Sequence, residues 1–173
     1  MINEQRFALL ANYFLVQGAN TQDAMDLYDY VKSTHPNDKN IIVVSHSLGT
    51  GVTSKVGQAK APACVLLGMP FGSMLQTTYE VSGYASLYWF YLIDWWRSLS
   101  YIGRYDEDVP LMILSADQDE LIPPHHQHEM FEESNAKEKW LISCNCGHNS
   151  IGQAVEENGE VYDEFFGKCL ART

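Results

Sequence analysis

Basic side chains are scarce in this chain. Its 173 residues hold 11 Lys and Arg against 22 Asp and Glu, a formal charge of −11 at pH 7. Nucleic-acid affinity rests on Lys and Arg contacts to phosphate, and anionic membranes attract basic segments, so neither partner suits this balance. The acid is spread along the chain rather than gathered in a tail, which reads as a soluble acidic surface. Long hydrophobic runs are also lacking. The longest apolar stretch lies near residues 85–93 and ends at Asp94, short of the roughly 18–20 residues of a membrane helix. Residues 1–6 lead into no apolar core with a cleavage site, so no signal peptide is expected. Cysteine is sparse. Cys64, Cys144, Cys146 and Cys169 do not make the framework of a small secreted domain. They read as reduced thiols, and the expected location is cytoplasmic or peripheral to intracellular membranes.

What is present points to one domain with a real core. Apolar residues make up 46% and charged residues 19%, too apolar for a disordered chain. Strand and helix signals alternate, the pattern of a parallel sheet with flanking helices. Residues 7–13 (FALLANY) suit a buried strand. Asn20 or Thr21 suits a helix cap, and Ala24, Leu27, Tyr28 and Val31 then fall on one apolar face, until His35-Pro36-Asn37-Asp38 stops the helix. Residues 41–44 (IIVV) read as a central parallel strand, followed by a helix from about Leu48 to Ala59. Further strands are expected at 63–67, 111–115 and 140–143, with helices beginning near Pro124 and after Asn158-Gly159. Residues 76–105 differ: they hold ten Tyr, Trp and Phe residues, including Tyr79, Trp96, Tyr101 and Tyr105.

The sharpest chemical signal follows the IIVV run: Ser45-His46-Ser47-Leu48-Gly49-Thr50-Gly51. A strand entering a small–x–Ser–x–Gly turn before a helix is a nucleophile-elbow arrangement. Ser45 and Gly49 meet the demand for small residues two before and two after the serine. The turn would lift Ser47 Oγ above the sheet, and the helix N-terminus would aim N–H groups at a developing oxyanion. Gly51 would let the helix approach the sheet closely. The plain alternative is a serine-rich turn.

A serine needs a base, and in this fold the base comes last, after an acid. His148, in Cys146-Gly147-His148-Asn149, lies just past the last strand. His46 sits in the elbow and more simply lines the pocket or packs behind it. His35, His125, His126 and His128 read as surface residues. For the acid, the loop after strand 111–115 offers Asp117 and Asp119, with Asp119 favoured by the Leu121-Ile122-Pro123 segment that follows. Cys144-x-Cys146-x-His148 and His125-His126-x-His128 match no familiar zinc spacing, so neither metal nor other cofactor is expected.

At these residues the chain resembles a known family. Ser-His-Ser-Leu-Gly-Thr-Gly-Val, Met69-Pro70-Phe71-Gly72-Ser73-Met74, Asp119-Glu120-Leu121-Ile122-Pro123 and Gly147-His148 look like the α/β-hydrolase-domain lipases. The nearest branch includes lysophosphatidylserine and monoacylglycerol lipases and Bem46-like relatives. The resemblance runs from about residue 7 to the C-terminus. It implies an α/β-hydrolase fold over a single domain, residues 1–173, with a cap insertion at about 76–105. It implies hydrolysis of an acyl or lipid ester without a cofactor, with Ser47 as nucleophile, Asp119 as acid, His148 as base and Leu48 supplying one oxyanion N–H. There are departures. Relatives carry three or more strands before the one at 7–13, including an HG-type loop with the second oxyanion donor, so the fold is expected to be N-terminally truncated. Ser45 stands where Gly is commoner, and Asn12-Tyr13-Phe14-Leu15 replaces an Asp-Tyr-Arg-Gly-like stretch. Two readings stay open: an active serine esterase on a small-molecule or lipid ester, or a catalytically impaired hydrolase-like binding protein or fragment of a longer hydrolase. An oligomer or a missing N-terminal segment is compatible with either.

Overall fold

The computed structural model describes residues 17–34, 41–82 and 96–171. The strand expected at 7–13, His35, and six of the aromatic residues (Tyr84, Tyr88, Trp89, Phe90, Tyr91 and Trp95) lie outside them. Four strands form one sheet: β1 (Ile42–His46), β2 (Cys64–Gly68), β3 (Leu111–Ala116) and β4 (Lys139–Cys144). They lie side by side in chain order, and every pairing is parallel. Helices fill the connections: α1 (Gln17–Thr34) precedes β1, α2 (Gly49–Lys60) joins β1 to β2, and α3 (Met74–Ser82) and α4 (Ser98–Ile102) follow β2. Then α5 (His125–Glu133) joins β3 to β4, and α6 (Ile151–Glu157) and α7 (Gly159–Ala171) close the described chain.

The strand sequences explain why both faces are covered. On β2 and β3, alternate residues enter two different cores. Cys64, Leu66, Met112 and Leu114 pack with Ile142, Ala154, Phe165 and Cys169, under α6 and α7. Val65, Leu67, Leu111 and Ile113 pack with Ile102, Tyr105 and Met130, under α4 and α5. The register sets Leu66 beside Met112 and Leu67 beside Ile113, so each layer is continuous across the sheet. Continuous aliphatic runs rather than alternation are what a doubly covered parallel strand demands.

Several expectations change. The first helix begins at Gln17, ahead of Asn20 and Thr21, and its packed face is narrower than its pattern: Tyr28 is buried, but Leu27 is 62% exposed. Tyr28 Oη donates to Lys60 O at 3.4 Å, and Lys60 pairs with Asp29 at 2.6 Å, so α1 leans on the end of α2. The IIVV strand is not central among the described residues. There β1 has β2 as its one neighbour, and Val44 is exposed. The described aromatic residues of 76–105 divide: Trp96 and Tyr105 are core, whereas Tyr79 is exposed. Among the described residues no helix is long and apolar enough to cross a membrane.

The reading of four reduced thiols is also corrected. Cys64 is paired with Cys169 across 105 residues, with a Cα–Cα separation of 5.6 Å, and Cys144 is paired with Cys146. Spacing could not reveal the first pair, because packing of α7 on the start of β2 creates it. Cysteine usage therefore no longer argues for a reducing compartment.

Glycine marks a close approach of α2 to buried aromatic rings. A Cβ on Gly51 of α2 would lie 2.8 Å from Phe71 Cζ and 2.8 Å from Trp96 Cγ. It is these two buried rings, rather than the sheet itself, that the glycine accommodates. Gly51→Ala should lower stability by a net of up to about 2 kcal/mol, overpacking costing about 1–3 kcal/mol against the ~1 kcal/mol that alanine gains in a helix. Gly152→Ala in α6, where a Cβ meets nothing within 4 Å, should leave the protein unchanged or slightly more stable. Thermal melts of the two variants check the contrast.

Candidate active site

The sheet delivers its polar residues at one edge. Ser47 follows the C-terminal end of β1, Asp119 that of β3 and His148 that of β4. Open parallel sheets hold ligands at this carboxyl end.

Ser47 sits in the turn between β1 and α2 with φ +52°, a left-handed conformation that costs an L-residue roughly 1–2 kcal/mol. Hydrogen bonds hold it there. Its N–H donates to Gly68 O at 2.9 Å, while Thr50 N–H and Oγ1 both donate to Ser47 O, at 2.9 and 2.6 Å. Ser45 and Gly49 face each other across the turn: a Cβ on Gly49 would meet the Ser45 Cβ at 3.5 Å, an ordinary contact. Leu48 caps α2, and its N–H is among the first in the helix, which have no intrahelical acceptor. That leaves it suited to an oxyanion.

The structure brings Ser47, His148 and Asp119 into one hydrogen-bonded line. Ser47 Oγ lies 2.7 Å from His148 Nε2, and Asp119 Oδ2 lies 2.7 Å from His148 Nδ1. The Asp119 side chain is fully buried and that of His148 nearly so. A buried carboxylate is tolerable only if it is satisfied. Asp119 Oδ1 accepts the N–H groups of Leu121 and Ile122 at 2.9 and 2.7 Å, leaving Oδ2 for the imidazole. Because the carboxylate only accepts, Nδ1 carries the ring proton and Nε2 is free to take one from the serine. Asp117, the alternative acid, is exposed and stands outside this line.

Two further side chains reach His148 that the sequence had not marked for it. His46 Nε2 bonds the His148 carbonyl oxygen at 2.9 Å, so His46 does not simply pack behind the elbow. His148 N–H donates to Glu120 Oε2 at 3.2 Å. The Glu120 carboxyl lies below its ordinary pKa, held first by its own backbone N–H, then by that of His148, with the His148 ring adding a smaller pull. Both residues adjoin triad residues in sequence, and that adjacency is the one signal that could have found them.

His126 departs from the surface reading. It is fully buried on α5, accepts the Gly72 N–H at Nδ1 (3.3 Å) and meets Glu80 of α3 through Nε2 (3.1 Å). His125 stacks on it and reaches the same carboxylate oxygen at 3.2 Å. The donor atoms of Glu80, His125 and His126 lie within 4.8 Å of one another, as metal ligands do. However, the Gly72 contact leaves the neutral His126 ring with its proton on Nε2, facing Glu80. A metal there would have to displace that proton, so the geometry is that of two histidines clasping a carboxylate. His128 is exposed and takes no part.

No protein-family model matches the chain, and no curated protein matches it. Solved structures do. The chain is similar to an acetyl xylan esterase from Paenibacillus sp. R4, with TM-score 0.65 and 15% identity over 83% of this chain and 51% of that one. It is similar to a monoacylglycerol lipase from Paleococcus ferrophilus, with TM-score 0.62 and 14% identity over 86% and 76%. A Pyrococcus furiosus esterase gives TM-score 0.61 and 19% identity over 88% and 60%. The chain has the α/β-hydrolase fold. It spans about half the length of the acetyl xylan esterase.

Two outcomes follow from this geometry. Ser47→Gly and Ser47→Ala both remove the hydroxyl, but only alanine keeps a Cβ at φ +52°, so the glycine variant should be the more stable by roughly 1 kcal/mol, read from paired melts. The second concerns acid. Burial holds the His126 pKa below its ordinary 6.5, with Glu80 opposing and His125 adding to the effect. Partial burial would raise Glu80, but the Gln76 amide and the two histidines bring it below 4.5. In both cases the unfolded chain binds the proton more readily. The His126 contribution is complete above pH 6.5 and is lost as pH falls toward its folded value. That of Glu80 is lost only below 4.5. The melting temperature should therefore fall from about pH 7 to pH 5.5, and less steeply in His126→Gln, which keeps a donor and an acceptor without titrating.

Proposed function

We propose that the chain is a serine hydrolase that cleaves carboxylic esters through an acyl-enzyme, with Ser47 as nucleophile, His148 as general base and Asp119 as the acid that orients it. The observation that carries this reading is the continuous line Ser47 Oγ–His148 Nε2 and His148 Nδ1–Asp119 Oδ2, both 2.7 Å, at the carboxyl end of the sheet. The esterases and lipase that share the fold support the ester class.

In the reaction, His148 Nε2 takes the Ser47 proton as Oγ attacks the ester carbon, and the Leu48 N–H binds the tetrahedral oxyanion. Collapse expels the alcohol, which leaves with the proton held on His148. A water gives a proton to His148 and attacks the acyl carbon, and collapse then frees the acid and restores the serine. Asp119 stabilises the imidazolium in both halves. The substrate class is an acyl or lipid ester, in keeping with the sequence likeness to lysophosphatidylserine and monoacylglycerol lipases. A second reading, a weakly active or substrate-binding hydrolase-like chain, is favoured by Leu48 being the one oxyanion donor identified among the described residues. Lacking a partner donor can cost about 10²–10³ in rate.

A fluorophosphonate probe tests the proposal. The native chain should label, and Ser47→Ala should not. Asp119→Asn should label about 10⁴-fold more slowly, as loss of the acid does in a serine protease. A folded native chain that takes no label overturns the esterase reading and leaves the binding one. In a labelled chain, p-nitrophenyl esters of rising acyl length then separate short-acyl from lipid preference.

A further inference from the structure

We propose that His46 and Glu120 are positioning residues that hold the two peptide groups flanking the His148 ring, so that the base is gripped by two dipeptides, His46-Ser47 and Asp119-Glu120. The inference rests on the triad reading above. His148 lies in residues 145–150, outside any helix or strand. A base on a loop must still be placed within about 0.5 Å of its partners to work. The ring is held at Nε2 by Ser47 and at Nδ1 by Asp119. Those bonds fix the ring only if the backbone beneath it is fixed as well.

The two neighbours supply that. His46 directs an Nε2–H at the His148 carbonyl, 2.9 Å away, and because a carbonyl only accepts, the His46 proton must sit on that nitrogen. The two rings stand 5.0 Å apart at 44°, so His46 also walls one side of the base. Glu120 accepts the His148 N–H at 3.2 Å. Its carboxylate comes near the chain: a Cβ on Gly147 would lie 3.1 Å from Oε2. The same two loops are tied again just upstream: Gln118 N–H donates to Cys146 O at 3.0 Å, and the Gln118 amide to Asn145 Oδ1 at 2.9 Å. Each triad partner therefore brings a sequence neighbour to the same histidine, one taking its N–H and one its C=O.

The test compares His46→Phe and Glu120→Ala, which remove the grips, with His46→Gln and Glu120→Gln, which keep a donor and an acceptor. Fluorophosphonate labelling and ester kinetics are read on the full chain, with melts to select folded variants. The removing variants should lose about 10–100-fold in acylation rate and kcat with KM nearly unchanged, as for a base misplaced by about 1 Å. The Gln variants should recover most of the loss. In a His148→Ala background the same removals should have no further effect, because they act through the ring. Folded removing variants that label at the native rate overturn the proposal, as does a loss that persists undiminished without His148. A native chain that does not label refutes the esterase reading instead. The grip is then judged by the ring ¹⁵N resonances of His148. A single tautomer in the native chain that averages in the removing variants upholds the grip, and an unchanged spectrum overturns it.

Discussion

Burial of both faces of the sheet is the constraint from which the rest follows. Val65, Leu66 and Leu67, and Leu111 through Leu114, are all inaccessible, so the strand interiors can carry almost no polar chemistry. Polar side chains are forced to the strand ends, and the shared parallel direction brings the ends of β1, β3 and β4 to one edge. The two-layer core thus sets the location of the site before any catalytic residue is considered. It also sets its rigidity: β3 and β4 are paired along their whole length, from Leu111–Lys139 to Ala116–Cys144, and the acid and the histidine loops leave from that last pair.

At the edge, local strain and local bonding are matched. Ser47 occupies a backbone region that ordinary residues avoid, and Met69, at the end of the neighbouring strand, does too. Such residues persist where the surroundings over-determine them. Both N–H groups donate to the next strand over, Ser47 to Gly68 O and Met69 to Leu114 O, at 2.9 and 2.8 Å. The sheet's own hydrogen bonding thus runs past the strand ends into the turns, and holds the elbow from the side opposite to the bonds from Thr50.

What could be read from the sequence follows the range of the forces involved. The four described strands were legible because uninterrupted aliphatic runs state double burial locally, and the elbow was legible because its steric demand for small residues spans only five positions. Asp119 could be preferred over Asp117 because of the Leu121-Ile122-Pro123 segment that follows it, again a local matter, and its Oδ1 accepts the N–H groups of Leu121 and Ile122. Long-range packing was not legible. Nothing near Cys64 announces Cys169, and nothing near His126 announces Glu80 and Gly72. The helix pattern that counted Leu27 into the packed face could not know that α1 meets α2 chiefly through Tyr28 and Asp29. The edge position of β1 among the described strands was likewise hidden, since a β-branched run reads the same whether one neighbour or two lie beside it.

The aromatic stretch shows how support for the site comes from a place the chemistry does not mention. Trp96 packs with Phe71 and Ile122, and Leu48, Val52 and Met74 close the same cluster. Those residues come from the start of α2, the turn after β2, the first residue of α3, the segment leading into α4 and the loop that holds Asp119. Ile122 does two jobs: its side chain anchors the acid loop in the cluster, and its N–H holds Asp119 Oδ1. Gly51 lets α2 settle against Phe71 and Trp96, which sets the height of the helix that follows Ser47. Here Trp96 is buried packing, 3% exposed, rather than surface. The apolar-apolar-Pro segment after the acid gains a physical meaning from the same cluster. A buried carboxylate needs its N–H donors held still, and the packing of Ile122 with Phe71 and Trp96 holds one of them.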